Sequence, residues 1–182
     1  MCDAMPMTVS KTRDLLVDVA RQLFARNGVD NTTMNDIAQA SRKGRRTLYT
    51  YFKSKNEIYL AVVESELNQL YKTLVDVAAM KLPADEKLMT LIYSRLDAVK
   101  ALVFRNGTLR ATFFRDIWRV EKVRKNFDQR EVEIIKGILD DGVREGVFSM
   151  PDTDITALVL HYALKGLEVP YIRGVMGDNI SQ

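Results

Sequence analysis

A chain of 182 residues that is 47% hydrophobic and 28% charged is long enough to bury a sizeable core and has the make-up of an ordinary globular protein. Its single cysteine, Cys2, excludes an intramolecular disulfide, and its lone histidine, His161, leaves little from which to assemble a catalytic centre. The net charge of +3 is unevenly spread: residues 1–55 hold 10 Lys and Arg against 5 Asp and Glu, a net of +5, and the remainder holds 17 against 19, a net of −2. That asymmetry suits a nucleic-acid-binding head on a near-neutral body.

Residues 1–9 read as a flexible N-terminal arm. The stretch MCDAMPMTVSKTRD has no apolar core of signal-peptide length, and no uncharged apolar run is long enough to span a bilayer, so a cytoplasmic protein without a membrane segment is expected. Pro6, Pro83, Pro151 and Pro170 each fall near a place where a helical pattern begins or ends, which argues for an all-α chain. A helix from Ser10 carries Leu15, Leu16, Val19, Ala20, Leu23 and Phe24 at three- and four-residue spacing and stops at Asn27-Gly28.

Thr33-Met34-Asn35-Asp36 is a capping box in its Asp variant, so a short helix begins near Met34. It breaks at Ser41 to Gly44, where glycine can take backbone angles that other residues reach only with strain, and a second short helix runs from Arg45 to about Tyr51. Phe24, Ile37, Leu48 and Phe52 are the expected centre of their small core. Two short helices about a tight turn describe a helix-turn-helix, whose second helix enters the DNA major groove. Arg45 and Arg46 open that helix and can each donate two hydrogen bonds to a guanine edge; Thr47 can meet base or phosphate. Ser54-Lys55-Asn56-Glu57 is a further capping box, and the N-terminus of the long helix it starts favours a phosphate. The candidate DNA-binding residues are Thr33, Arg42, Lys43, Gly44, Arg45, Arg46, Thr47, Tyr49, Tyr51, Lys53 and Lys55.

From about Arg13 to Ala61 these elements resemble the tetracycline-repressor (TetR) family of bacterial transcription regulators: Ala20, Phe24, Gly28, Thr32-Thr33, Ile37-Ala38, and Thr47-Leu48-Tyr49-Thr50-Tyr51-Phe52 followed by Ser54-Lys55. The chain departs at the turn. Where Gly-Val-Ser, a residue and Gly would be usual, Arg42-Lys43-Gly44-Arg45-Arg46 stands, adding positive charge in place of an apolar residue. The resemblance implies an N-terminal three-helix helix-turn-helix DNA-binding domain, residues 10–54, joined by a long helix to a helical-bundle effector and dimerisation domain, residues 55–182. It further implies a double-stranded DNA operator, a small-molecule effector and a homodimer paired through C-terminal helices.

The body reads as helices throughout: Lys55 to about Met80, Asp85 to Phe104, a short one holding Leu109, Phe113, Phe114 and Trp118, another from Val120 to Glu145, and a last from Asp154 to Val169. In the last, Ile155, Leu158, Val159, Tyr162, Ala163, Gly166 and Leu167 form one apolar stripe, with Ala157, Leu160 and Leu164 off it. A helix apolar nearly all round needs partners on two sides, so one side is expected on the body and Ile138, Gly142, Ala157, Leu160, His161 and Leu164 at a twofold interface. Tyr93, Phe104, Phe113, Phe114, Trp118 and Tyr162 are candidate effector-pocket residues, although core packing explains any one of them as well. The basic stretch 105–130 reads as solvated helix faces.

Neither catalysis, a metal nor a cofactor is expected. His161 lacks metal-ligand neighbours at local spacing, Cys2 lies in a tail, and Gly142-Val143-Arg144-Glu145-Gly146 ends a helix rather than opening one as a phosphate loop would. Two alternatives stay open beside a DNA-binding regulator: a helical interaction module with an incidental basic turn, and a helical small-molecule-binding protein that does not read DNA.

Overall fold

The computed structural model describes residues 7–107 and 117–175, with side chains described over 11–107 and 123–175. The described residues form seven α-helices: α1 (Met7–Asn27), α2 (Met34–Ala40), α3 (Arg45–Tyr51), α4 (Lys55–Ala78), α5 (Ala84–Arg105), α6 (Ile117–Arg144) and α7 (Thr153–Ile172). No helix among them is long and apolar enough to cross a membrane. Helix α1 already begins at Met7, inside the stretch read as an arm. The expected short helix around Leu109, Phe113 and Phe114 lies outside the described residues. Helix α7 runs past Val169 through Pro170, which in the last turn removes only the one hydrogen bond its missing N–H would have donated.

The chain divides into two compact units, Met1–Glu66 with Val103–Val123, and Leu67–Leu102 with Arg124–Gln182. The first division of the chain falls within α4, after Glu66.

In the first unit, Leu16, Ala20 and Phe24 of α1, Ile37 and Ala38 of α2, Leu48 of α3 and Phe52 just beyond it are all buried. At about 1.5–3 kcal/mol for each large apolar side chain, this burial fixes how the two short helices sit on α1. Ile58, Tyr59, Val62 and Val63 extend the same core along the start of α4, with the Tyr59 ring edge-on to Phe24 at 6.2 Å. Glu66 of α4 is buried among cations: it pairs with Arg105 and Arg21 and accepts a 2.8 Å hydrogen bond from Asn106 Nδ2. Gly107 follows at φ +45, and a Cβ there would stand 2.7 Å from the carbonyl oxygen of Ala25, so this chain reversal requires glycine.

In the second unit, Leu70, Leu74, Leu91, Leu96, Phe127, Ile135 and Leu139 form an apolar core. Gly142 is buried beneath Phe148: a Cβ would lie 2.2 Å from that ring and 2.9 Å from Ala84, so this glycine serves packing within the unit rather than the interface expected for it. The expected orientation of α7 is likewise reversed. Ala157, His161 and Leu164 turn inward with at most 4% exposure, as does Ile138 of α6 at 3%, and Leu160 is half-buried. The longer apolar stripe faces out instead, with Ile155, Val159 and Tyr162 each more than 60% exposed.

The cause of the reversal is electrostatic. The inward face of α7 also carries Lys165 and Glu168, and the unit presents Arg95, Asp128 and Glu131 to it. Arg95 pairs with Glu131 and, at 2.8 Å, with Glu168; Lys165 reaches Asp128 at 2.7 Å; and His161 Nδ1 lies 2.6 Å from Glu131 Oε2. A buried charge without a partner costs more than an exposed apolar side chain, so charge pairing decides which face turns in.

Candidate nucleic-acid interface

Helix α2 opens as the sequence requires. Thr33 Oγ1 accepts from the Asp36 amide at 3.1 Å and Asp36 Oδ2 accepts from the Thr33 amide at 2.8 Å, closing the capping box. Hydrogen bonds to the Asp36 carboxyl, first from the Thr33 amide and then from the Thr33 hydroxyl, hold it below its ordinary pKa. Thr33 is thereby committed to the cap and presents only an exposed hydroxyl edge.

The turn between α2 and α3 is made differently from expectation. Gly44, the α3 N-cap, has ordinary extended angles, φ −63 and ψ 148, and it is Arg42 that takes the left-handed conformation, at φ +52. The amide of Lys43 donates to Ala38 O at 3.0 Å and that of Arg42 to Gln39 O at 3.1 Å, so the end of α2 is satisfied by the turn itself. The strain at Arg42 is thus held by two backbone bonds and by the burial of Ser41 beside it.

Helix α3 buries Leu48 and shows its opposite side to solvent. Arg45, Arg46, Tyr49 and Thr50 are exposed, and Thr47 and Tyr51 are half-buried. Arg42 and Gly44 are also exposed and Lys43 is half-buried. None of the four basic side chains in 42–46 has an acidic partner within ion-pair distance among the described residues. One exposed side of the helix-turn-helix therefore carries four uncompensated positive charges beside a tyrosine hydroxyl, a surface suited to a polyanion.

The start of α4 satisfies only half of its expected capping box. Ser54 Oγ accepts from the Glu57 amide at 3.2 Å, but Glu57 Oε2 returns to the Lys53 amide at 2.6 Å rather than to the cap residue. The Lys53 side chain is exposed. Lys55 is half-buried, and its ammonium donates to Val29 O at 2.8 Å and Asp30 O at 3.2 Å, tying the loop after α1 to α4. A phosphate contact by Lys55 therefore competes with two internal carbonyls. Sequence reasoning missed that tie because it spans 26 residues.

The aromatic set expected at a pocket is not a buried lining. Phe104, in the first unit, is 63% exposed; in the second, Tyr93 is half-buried and Tyr162 63% exposed. Phe113 and Phe114 lie outside the described residues, and of Trp118 only the backbone, in α6, is described. The expectation that His161 lacks metal-ligand neighbours holds for local spacing and fails in three dimensions. Asp128, Glu131 and His161 bring ligand atoms within 4.8 Å of one another. Burial pushes the Glu131 carboxyl up, but the His161 hydrogen bond and the Arg95 charge outweigh it and hold the group below its ordinary range.

Comparison with known proteins matches a family model to this region and whole relatives to most of the chain. The sequence model of bacterial regulatory proteins of the tetR family matches residues 16–62, from mid-α1 into α4. The chain is 29% identical over 158 residues to the HTH-type transcriptional repressor KstR2 of Mycolicibacterium smegmatis, covering 82% of this chain and 73% of that one. It is 22% identical to the HTH-type transcriptional regulator YhgD of Bacillus subtilis, over 81% of this chain and 78% of the relative. A crystal structure of a transcriptional regulator from Cytophaga hutchinsonii superposes with a TM-score of 0.73 at 27% identity, over 86% of this chain and 79% of that one.

Proposed function

We propose, from the premise that this chain belongs to the TetR family of bacterial regulatory proteins and is a non-enzymatic helix-turn-helix transcriptional regulator, that it represses by binding a near-palindromic operator as a homodimer and is released by a small molecule taken up in its body. The observation that carries the DNA-binding half is the set Arg42, Lys43, Arg45 and Arg46, exposed or half-buried about α3 with no acidic partner among the described residues. Residues 10–54 are assigned the DNA-reading role and residues 55–182 the effector and dimerisation roles. Gel-shift titration of the protein on its own promoter DNA tests the reading. Saturable binding that is lost in an Arg45→Ala, Arg46→Ala double variant of unchanged helicity is expected; undiminished binding would remove α3 from the interface.

The homodimer is supported by the outward stripe of α7, because a contiguous apolar strip on a helix face is more often covered than left wet. The paired residues are Ile155, Leu158, Val159 and Tyr162, in place of the inward Ala157, His161 and Leu164. Val159→Glu introduces a charge at an exposed position, so it leaves the subunit folded and gives a monomer in sedimentation. A wild type that sediments as a monomer would refute the pairing.

A further inference from the structure

We propose that the second unit carries a divalent-metal site in which Nε2 of His161 and Oδ1 of Asp128 are the ligands and Glu131, held by Arg95, orients the imidazole. Arg95 and Lys165 bring two positive charges to this cluster, and Asp128, Glu131 and Glu168 bring three negative ones. With a neutral imidazole one negative charge is left uncompensated among largely buried groups, an arrangement that favours an added cation.

The two nitrogens of His161 then decide where that cation sits. Nδ1 lies 2.6 Å from Glu131 Oε2, and an ionised carboxylate only accepts, so Nδ1 carries the proton and donates. That tautomer leaves Nε2 with a free lone pair, 3.9 Å from Asp128 Oδ1. The gap is too long for a hydrogen bond, so a proton placed on Nε2 would find no acceptor at Asp128. An ion about 2.0–2.2 Å from each atom spans it. Lys165 occupies the other oxygen of the same carboxylate, Oδ2, at 2.7 Å and leaves Oδ1 to the ion. A metal-bound histidine whose second nitrogen donates to a carboxylate is the recurrent arrangement at such sites, and Arg95, bonded through Nε to Glu131 Oε1, fixes that carboxylate in turn.

Access and ion type follow from the same residues. His161 and Glu131 are buried, whereas the Asp128 side chain is 25% exposed, so the ion enters past Asp128. One imidazole nitrogen and one carboxylate oxygen suit a first-row divalent ion such as Zn²⁺ or Mn²⁺ rather than Ca²⁺ or Mg²⁺, which take oxygen ligands. The remaining coordination positions are open to water or a small anion.

The test uses the full chain with Cys2→Ser, which removes the tail thiol as a competing ligand, titrated with Zn²⁺ by calorimetry and with Co²⁺ by visible absorption. One saturable site per chain is expected, and both Asp128→Asn and His161→Gln weaken Zn²⁺ by about tenfold or more. Asp128→Asn alters a partly exposed side chain, so it reports even if the histidine variant fails to fold by circular dichroism. Absence of saturable uptake by the folded protein, or uptake unchanged in folded Asp128→Asn, overturns the site. Stability that responds to pH but to neither ion assigns the gap to a proton or a water and overturns it equally.

Discussion

Arg46, on α3 of the first unit, is exposed and has no ion-pair partner among the described residues, whereas Arg95, on α5 in the second, is 1% exposed and held between Glu131 and Glu168. The same guanidinium is left available in one place and consumed in the other. An exposed charge contributes little to stability, so a cluster of them without partners persists for what it meets outside the molecule. A buried pair contributes little net stability either, yet neither member can be lost alone, and it dictates which helix faces turn inward. On this comparison, mutations in the two clusters should separate cleanly into losses of binding and losses of folding.

The largest effect is expected from Glu131→Ala, which strands Arg95 and removes the acceptor of His161. Urea unfolding should show a loss of about 3–5 kcal/mol, against a change within about 0.5 kcal/mol for Arg46→Ala. Similar values for both variants would erase the contrast. Arg45→Ala and Arg46→Ala should instead act on DNA. Operator selection from a random pool should find at least one of them costing about 1–3 kcal/mol per half-site and relaxing the preference at a single base pair. If neither changes any selected base, the arginines grip the backbone and reading falls to Thr47 and Tyr49.

Arg42 lies between the two categories, since it is exposed but also strained. Arg42→Gly relieves the positive φ and should raise stability by about 1 kcal/mol. It also deletes a cation, so DNA affinity should fall and the slope of log affinity against log salt shrink by about one unit. A thermal melt paired with a salt series reads both, and a drop in melting temperature would show that the guanidinium stabilises the turn.

The smallest effect concerns Asp36, whose folded pKa is depressed by the Thr33 cap. Because the shift is downward, the contribution of the cap is complete at neutral pH and is lost as pH falls through the ordinary carboxylate value and then the lower folded one. The protection factor of the Thr33 amide against hydrogen exchange, taken relative to the intrinsic rate at each pH, should fall in acid for the wild type and lose this dependence in Asp36→Asn. An identical acid response in both would place the proton uptake elsewhere.

Most of the helix-turn-helix could be read from the chain because its determinants are local. The Thr33 to Asp36 box and the bounds of α2 and α3 follow from interactions three or four residues apart, and Ile37, Leu48 and Phe52 are the large apolar side chains this segment offers to a core. The periodicity of α7 was equally legible, and it identified an apolar stripe correctly while assigning that stripe to the wrong side. The side was decided by Arg95, Glu131, His161 and Glu168, whose bonds join residues 30 to 73 positions apart. The same holds for Lys55, drawn away from solvent by carbonyls 25 and 26 residues earlier. Spacing along a chain specifies which residues share a helix face, because a helix repeats every 3.6 residues whatever surrounds it. Which face is buried depends on the charges and volumes that other helices bring to it, and those meet only once the chain has folded.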